Sequence, residues 1–150
     1  MKHEASQADL AFRKEVESCD FNVAGFNHEA HLRLAYIYLL ENPIDEAVER
    51  MRATISGLLE EMNIDIHEKY HATLTRAWLL AVHHFMQTSG TSRSAQEFLQ
   101  LNPGLLDTEV MMTHYSSERL FSDQARKSFL EPDLDPIPLY STRSQRGISR

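Results

Sequence analysis

Histidine is the residue type in this chain that most strongly suggests a chemical site, because the chain contains eight histidines and only one cysteine. At about 100° per residue, His28 and His31 share the apolar stripe of a helix predicted over 28–41. His71 lies at the centre of the apolar face of a long helix predicted over 66–88. Buried imidazole needs hydrogen bonds or a metal, so these histidines predict a polar pocket inside the fold.

Three interpretations of this pocket remain open. His28, His31 and His71 could bind a divalent transition metal (Zn, Fe or Mn), since neutral imidazole is a common ligand and three ligands leave an open position. They could instead be core histidines, each bonded to a carbonyl, a carboxylate, Tyr70 or Thr75. The third interpretation is a proton-transfer or small-molecule pocket without metal.

A second group of residues could take part in catalysis beside this pocket. His114 is a candidate fourth ligand or proton carrier. Tyr115 and Arg119 could orient an anionic or carbonyl substrate, because a guanidinium group matches the geometry of carboxylate and phosphate. The alternative for Arg119 is a surface ion pair with Asp123.

The pentapeptide 67–71 reads HEKYH and matches the zinc-peptidase pattern H-E-x-x-H. This match defines a third function hypothesis, a zinc hydrolase that uses His67, Glu68 and His71. The signal is weak, because the chain is rich in His and Glu and Glu68 also suits a capping box with Asp65. No sheet is predicted that would hold a peptide substrate.

The elements that must position these residues are all helical, since the apolar residues follow a helical period and no period of two is found. Helices are predicted over 4–19, 28–41, 43–62, 66–88, 93–101 and 106–115, and from Ser117 or Ser122 to about residue 130. Asn27 and Asn42 are the predicted N-caps of the second and third helices, with Pro43 in the first turn of the third. The predicted architecture is an all-α, single-domain bundle of five to seven helices over residues 1–131. A Pro-rich tail over 132–150 is expected to be extended or disordered.

Four stretches of the chain together resemble a group of small bacterial proteins of all-α fold. The stretches are FNHEAHLRLA (26–35), KYHATLTRAW (69–78), HYSSERLFS (114–122) and EPDLDPIP (131–138). The resemblance implies an all-α fold and draws attention to His28, His31, His71 and His114, with Tyr115 and Arg119. It implies no activity.

Composition excludes several classes of partner. The net charge is −7, from 15 basic and 22 acidic residues, and no basic stripe is present, which argues against nucleic-acid binding. The longest apolar run, residues 34–40, is too short to span a membrane. Cys19 cannot form an intramolecular disulfide and the N-terminus has no secretory pattern, so we expect a cytoplasmic protein.

Two other functions compete with the zinc hydrolase. One is a divalent-metal-dependent enzyme that acts on a small anionic or carbonyl molecule in the histidine pocket. The other is a non-catalytic homodimeric interaction module with a hydrogen-bonded polar core. The homodimer is expected because the 28–41 helix is apolar over most of its circumference, with Leu34, Ile37 and Leu40 away from the histidines.

Overall fold

The computed structural model describes residues 3–22 and 25–137, except for the side chains of His67 and Glu68. These residues form eight α-helices and no strand, which confirms the predicted all-α fold. The helices are α1 (Gln7–Glu17), α2 (His28–Glu41), α3 (Ile44–Glu61), α4 (Ile66–Lys69), α5 (Ala72–Thr88), α6 (Ala95–Leu101), α7 (Ser117–Leu120) and α8 (Asp123–Lys127). Within this part of the chain, none of the helices has the length and apolar character of a membrane span.

α2 is the central helix, and α1, α3, α5 and α6 all pack against it. The apolar circumference of this helix predicts that a second subunit covers its outer side. Leu34 and Ile37 are instead fully buried within one chain, and Leu40 is half-buried. The fold itself therefore covers most of α2, which removes the reason for expecting a homodimer; the oligomeric state stays a prediction.

The boundaries of α2 and α3 are fixed by local polar groups. Asn27 Oδ1 accepts a hydrogen bond from Ala30 N at 2.9 Å, which confirms the predicted start of α2. The prediction that Asn42 caps α3 is wrong, because Pro43 is the N-cap residue and makes no side-chain bond. The Asn42 amide instead donates to Tyr38 O at 3.0 Å and closes the last turn of α2.

The long helix predicted over 66–88 is interrupted, and α4 and α5 are separate helices. His71 has extended backbone angles, φ −121° and ψ 104°, and is the N-cap of α5. Its Nδ1 atom accepts a hydrogen bond from Leu74 N at 3.1 Å. Because His71 lies outside any helix, the projection that placed it on a helix face does not apply, although its side chain is buried.

The C-terminal third contains shorter elements than the sequence predicted. The expected helix over 106–115 is replaced by two 3₁₀ segments, Pro103–Leu106 and Thr108–Thr113. The expected last helix is divided into α7 and α8, whose N-caps are Ser116 and Ser122; each serine hydroxyl accepts a backbone N–H three residues on. α7 and α8 are therefore each shorter than two turns.

Residues 132–137 of the predicted tail contain no helix and are bound to the helical body. Leu134 N donates to His114 O at 2.9 Å. The Asp133 carboxylate accepts hydrogen bonds from Ser116 N at 2.8 Å and Ser116 Oγ at 2.6 Å. Ile137 packs against the core. Residues 138–150, where the sequence predicts the rest of the tail, lie outside the described residues.

The N-terminal segment is held by a buried polar network that the sequence analysis did not predict. His3 Nε2 donates to Met86 O at 2.7 Å, and His3 Nδ1 lies 2.7 Å from Ser92 Oγ. The Tyr36 hydroxyl donates to Glu4 O at 2.7 Å and also lies 2.7 Å from Ser92 Oγ. The network joins the N-terminus, α2 and the loop before α6.

Asp9 is a buried carboxylate that joins α1, α2 and α6. One oxygen accepts from Ser6 N at 3.0 Å and Ala95 N at 2.9 Å, and the other accepts from Arg33 Nε at 3.0 Å. Burial alone would raise the pKa of Asp9, but these hydrogen bonds and the Arg33 charge outweigh burial and lower it. Asp9 is therefore ionised in the native state at neutral pH.

We expect Asp9→Asn to lower the free energy of unfolding by about 2 kcal/mol at pH 7, measured by urea denaturation, because Arg33 loses its buried partner. The folded-state pKa of Asp9 is depressed, so its contribution is complete above the unfolded value of about 3.9 and is lost as the pH falls through the folded value. The difference between wild type and variant should therefore shrink below about pH 4. Asp20→Asn, at an exposed carboxylate, is the control. A difference that stays constant down to acid denaturation would contradict the assignment.

Candidate functional site

A cavity of about 740 Å³ lies between α2, α3, the α4–α5 junction and the second 3₁₀ segment. Most of its wall is apolar and comes from Phe26, Ile55, Leu59, Ile64, Leu74, Trp78, Met111, Met112, Leu120 and Phe121. His28, His31 and His71 also line it, so the three predicted inward histidines border one space. Lys69 and Glu109, which are exposed, contribute opposite charges to its outer part.

His31 is the polar side chain most available to a ligand. It lies on α2 with its ring edge-to-face with Phe26, at a centroid distance of 6.2 Å. No hydrogen bond joins its ring to any other described residue, and the half-buried side chain lines the cavity. Burial, with a smaller effect of His28, lowers the pKa of His31 to about 4. His31 is therefore neutral at pH 7 and carries one donor and one acceptor nitrogen.

His28 is fixed in orientation by two contacts. Its Nε2 donates to the carbonyl oxygen of Leu105 at 2.9 Å. Its ring lies against Trp78, with centroids 4.5 Å apart and planes inclined at 64°. Because Nε2 carries the proton, Nδ1 is the acceptor nitrogen of the neutral ring. His28 therefore joins α2 to the first 3₁₀ segment and can offer one acceptor to the cavity.

His71 uses both ring nitrogens to hold the fold together. Nδ1 accepts from Leu74 N, so the proton is on Nε2, which donates to Leu120 O at 2.8 Å. Burial lowers the pKa of His71, although the bond to Leu120 opposes this effect; the positive charge of Arg126 lowers it further. His71 is a neutral capping residue with no nitrogen left for a metal or substrate.

The predicted metal ligands do not form a metal site in this arrangement. His28 and His71 each use Nε2 to bind a backbone carbonyl, and the second nitrogen of His71 is also engaged. Across the described residues, no group of three or more His, Cys, Asp or Glu side chains is placed to hold an ion. The donor set therefore does not fit the Zn, Fe or Mn ion that the sequence analysis considered.

The H-E-x-x-H pentapeptide also lacks the geometry that its chemistry requires. Its two histidines must lie one turn apart on a continuous helix. α4 ends at Lys69, and His71 is the extended cap of the next helix. The side chains of His67 and Glu68 lie outside the described residues.

His114, Tyr115 and Arg119 do not line the cavity and instead bind the segment that follows α8. His114 Nδ1 lies 2.7 Å from Asp135 O. The buried Tyr115 hydroxyl donates to Leu130 O at 2.6 Å, and Arg119 Nε donates to Glu131 O at 2.6 Å. Their arrangement supports a role in fixing residues 130–135 rather than in orienting a substrate. Arg119 is also not paired with Asp123, the alternative partner, in this geometry.

Helical projection of α5 predicts that His83 and His84 lie on its polar side and are solvated. Both are half-buried, and burial lowers the pKa of each. Neither lines the cavity.

Tyr70, which the sequence predicts only as a possible hydrogen-bond partner of a core histidine, also lines the cavity. It is buried in the α4–α5 junction, with the Arg52 guanidinium 5.0 Å from its ring centroid. Burial raises the pKa of Tyr70, and Thr75 and Arg52 oppose the rise through hydrogen bonds. No signal in the sequence marks its role, because an aromatic residue at this spacing is typical of a helix core.

Comparisons of the chain with protein-family models, with curated proteins and with solved structures find no match. The function is therefore inferred from the geometry of the cavity.

We expect His71→Ala to lower the free energy of unfolding by about 2 kcal/mol, because it removes a helix cap and leaves a buried carbonyl without its donor. His71→Asn should recover part of this loss, since Asn can cap α5 but is too short to replace the bond to Leu120. Thermal unfolding with and without a strong chelator provides the second measurement. The wild-type melting temperature should not change with chelator; a drop that His71→Ala abolishes would instead establish a metal.

The His31 ring should stay neutral well below the usual range for histidine. We expect its carbon-bound ring protons, followed by NMR, to titrate near pH 4, whereas a solvated histidine titrates at about 6.5. Because the folded pKa is depressed, His31 favours the unfolded state as the pH falls from about 6.5 towards 4. His31→Phe should therefore reduce the loss of stability over this interval. A titration midpoint above 6 would show that the ring is solvated.

Proposed function

We propose that this protein binds a small, uncharged and mainly apolar molecule that carries a carbonyl or hydroxyl group. The observation that carries the proposal is His31, a neutral imidazole that lines a largely apolar cavity and makes no hydrogen bond to another described residue. Ligand sites typically combine an apolar wall with a few polar groups that fix orientation. A ligand carbonyl could accept the N–H of His31, and a hydroxyl could use either ring nitrogen.

The size of the cavity supports a small-molecule ligand. Its volume of about 740 Å³ falls within the range of about 300–1,000 Å³ that is usual for such sites. The aromatic side chains of Phe26 and Trp78 offer flat apolar surface on which a ring or an alkyl chain can pack.

The charge of the cavity favours an uncharged ligand over the anion considered from sequence. His31 carries no positive charge at pH 7, because its pKa is about 4. The charges of Lys69 and Glu109 oppose each other and lie in exposed positions. An ionic ligand would lose its hydration and find no compensating charge inside the cavity.

The low pKa of His31 favours a role in binding over a role in catalysis. A general base works best when its pKa lies near the operating pH, so an imidazole that titrates near 4 is a weak base at neutrality. His28 and His71 use their Nε2 protons to bind backbone carbonyls. We therefore propose a binding protein rather than a metal-dependent enzyme.

Fluorescence of Trp78 tests the proposal, because Trp78 is the only tryptophan in the chain and lies in the cavity wall. Titration with 2-octanone should change its emission saturably. Octanoate, which has the same chain length and one negative charge, should bind at least about tenfold more weakly. Absence of a saturable change with 2-octanone, or equal affinity for octanoate, would overturn the proposal.

Two matched variants locate the interaction. His31→Phe keeps an aromatic ring at this position but removes the hydrogen-bonding nitrogens, and should weaken 2-octanone binding by about threefold to tenfold. His83→Phe makes the same change on α5 away from the cavity and should leave affinity unchanged. Thermal unfolding checks that each variant is folded, and His31→Gln serves if His31→Phe is not.

A further inference from the structure

We propose that a second pocket, separate from the apolar cavity, binds the phosphate group of a small phosphorylated molecule. The pocket has a volume of about 310 Å³ and is lined by Arg52, Ile66, Tyr70, Asp123, Arg126 and Lys127. Among the described side chains that line the pocket, three are cationic and one is anionic. This concentration of positive charge occurs in a chain whose net charge is −7.

The fold brings these cations together from distant parts of the chain. Arg52 belongs to α3, whereas Arg126 and Lys127 are neighbours on α8. α8 packs against α5, and α4 packs against α3, so the two groups meet at the α4–α5 junction beside Tyr70. Like charges repel, so this grouping costs stability unless an anion compensates for it.

Two of the cations, Arg52 and Lys127, have no carboxylate partner among the described residues. Over the described residues, the ion pairs join Arg13 to Glu41, Arg33 to Asp9, and Arg76 to Asp45. No such pair involves Arg52 or Lys127. The Arg52 guanidinium is positioned against the Tyr70 ring, at 5.0 Å from the centroid, so less conformational freedom is lost when it binds an anion.

The two cations without a described carboxylate partner favour phosphate over a single carboxylate. A guanidinium group presents paired N–H donors that match two phosphate oxygens, and an ammonium group adds a point charge. A phosphate monoester carries a charge of about −1.5 to −2 at pH 7, which matches the two charges of Arg52 and Lys127. A single carboxylate would neutralise only one of these two charges.

This inference does not rest on the proposed function. Among the described residues, Tyr70 is the only one that lines both the uncharged cavity and the cationic pocket. The two proposals can therefore fail separately.

Isothermal titration calorimetry with inorganic phosphate, at pH 7.5 and constant ionic strength, tests the site. Calorimetry is preferred because phosphate also stabilises proteins generally through exclusion from their surface. We expect saturable binding at one site, and at least about tenfold weaker binding of acetate. No saturable heat, or equal binding of acetate, would overturn the proposal.

Charge-matched variants separate a local site from an effect of net charge. Arg52→Gln and Lys127→Gln should each weaken phosphate binding by about tenfold. Arg50→Gln, two residues away on α3, and Lys14→Gln on α1 make the same charge changes outside the pocket and should leave affinity unchanged. Equal weakening by the controls would overturn the site.

Lys127→Gln separates loss of the phosphate site from loss of folding and from loss of the apolar cavity. Arg52 also packs on Tyr70, so Lys127→Gln, which alters an exposed side chain, provides the test if Arg52→Gln does not fold. Lys127→Gln should leave 2-octanone binding unchanged, so loss of phosphate binding alone is attributed to this pocket.

Discussion

The two hydrogen bonds of His71 hold the turn on which the rest of the candidate sites depend. Nδ1 starts α5 by accepting from Leu74 N, and Nε2 joins this turn to the carbonyl of Leu120 at the end of α7. The turn also places Tyr70 between the apolar cavity and the cationic pocket. A continuous helix through this region would remove the junction that forms one wall of each pocket.

Buried polar groups elsewhere act in the same way, as links between elements far apart in sequence. Asp9 joins the first turn of α1 to α2 and α6. Tyr38, in the centre of α2, donates to Glu17 Oε2 at 2.6 Å and lies 2.6 Å from Thr54 Oγ1, which joins α1 and α3. Burial and Glu17 raise the pKa of Tyr38, so its proton stays in place. Most of the imidazole and hydroxyl groups that suggested chemistry therefore serve the fold.

The two proposals rest on side chains that take no part in these links between elements. His31 lines the cavity and makes no hydrogen bond to other described residues, and its low pKa makes the cavity suited to uncharged molecules. Arg52 and Lys127 have no carboxylate partner among the described residues and lie in a pocket suited to anions. Desolvation explains the first preference and uncompensated charge the second.

The sequence by itself determined the all-α class, the extents of α2 and α3 and the Asn27 cap, since these depend on apolar periodicity and on bonds between residues three or four apart. It also indicated that His28, His31 and His71 point inward. Tertiary structure decided what each of them does. The break before His71 depends on Leu120, 49 positions away, and His28 binds Leu105, 77 positions away. His114, Tyr115 and Arg119 form hydrogen bonds with residues 130–135. The period of the apolar residues indicates which face of a helix is buried. The partner of a buried polar group is determined instead by how distant elements pack, and no local sequence pattern contains that information.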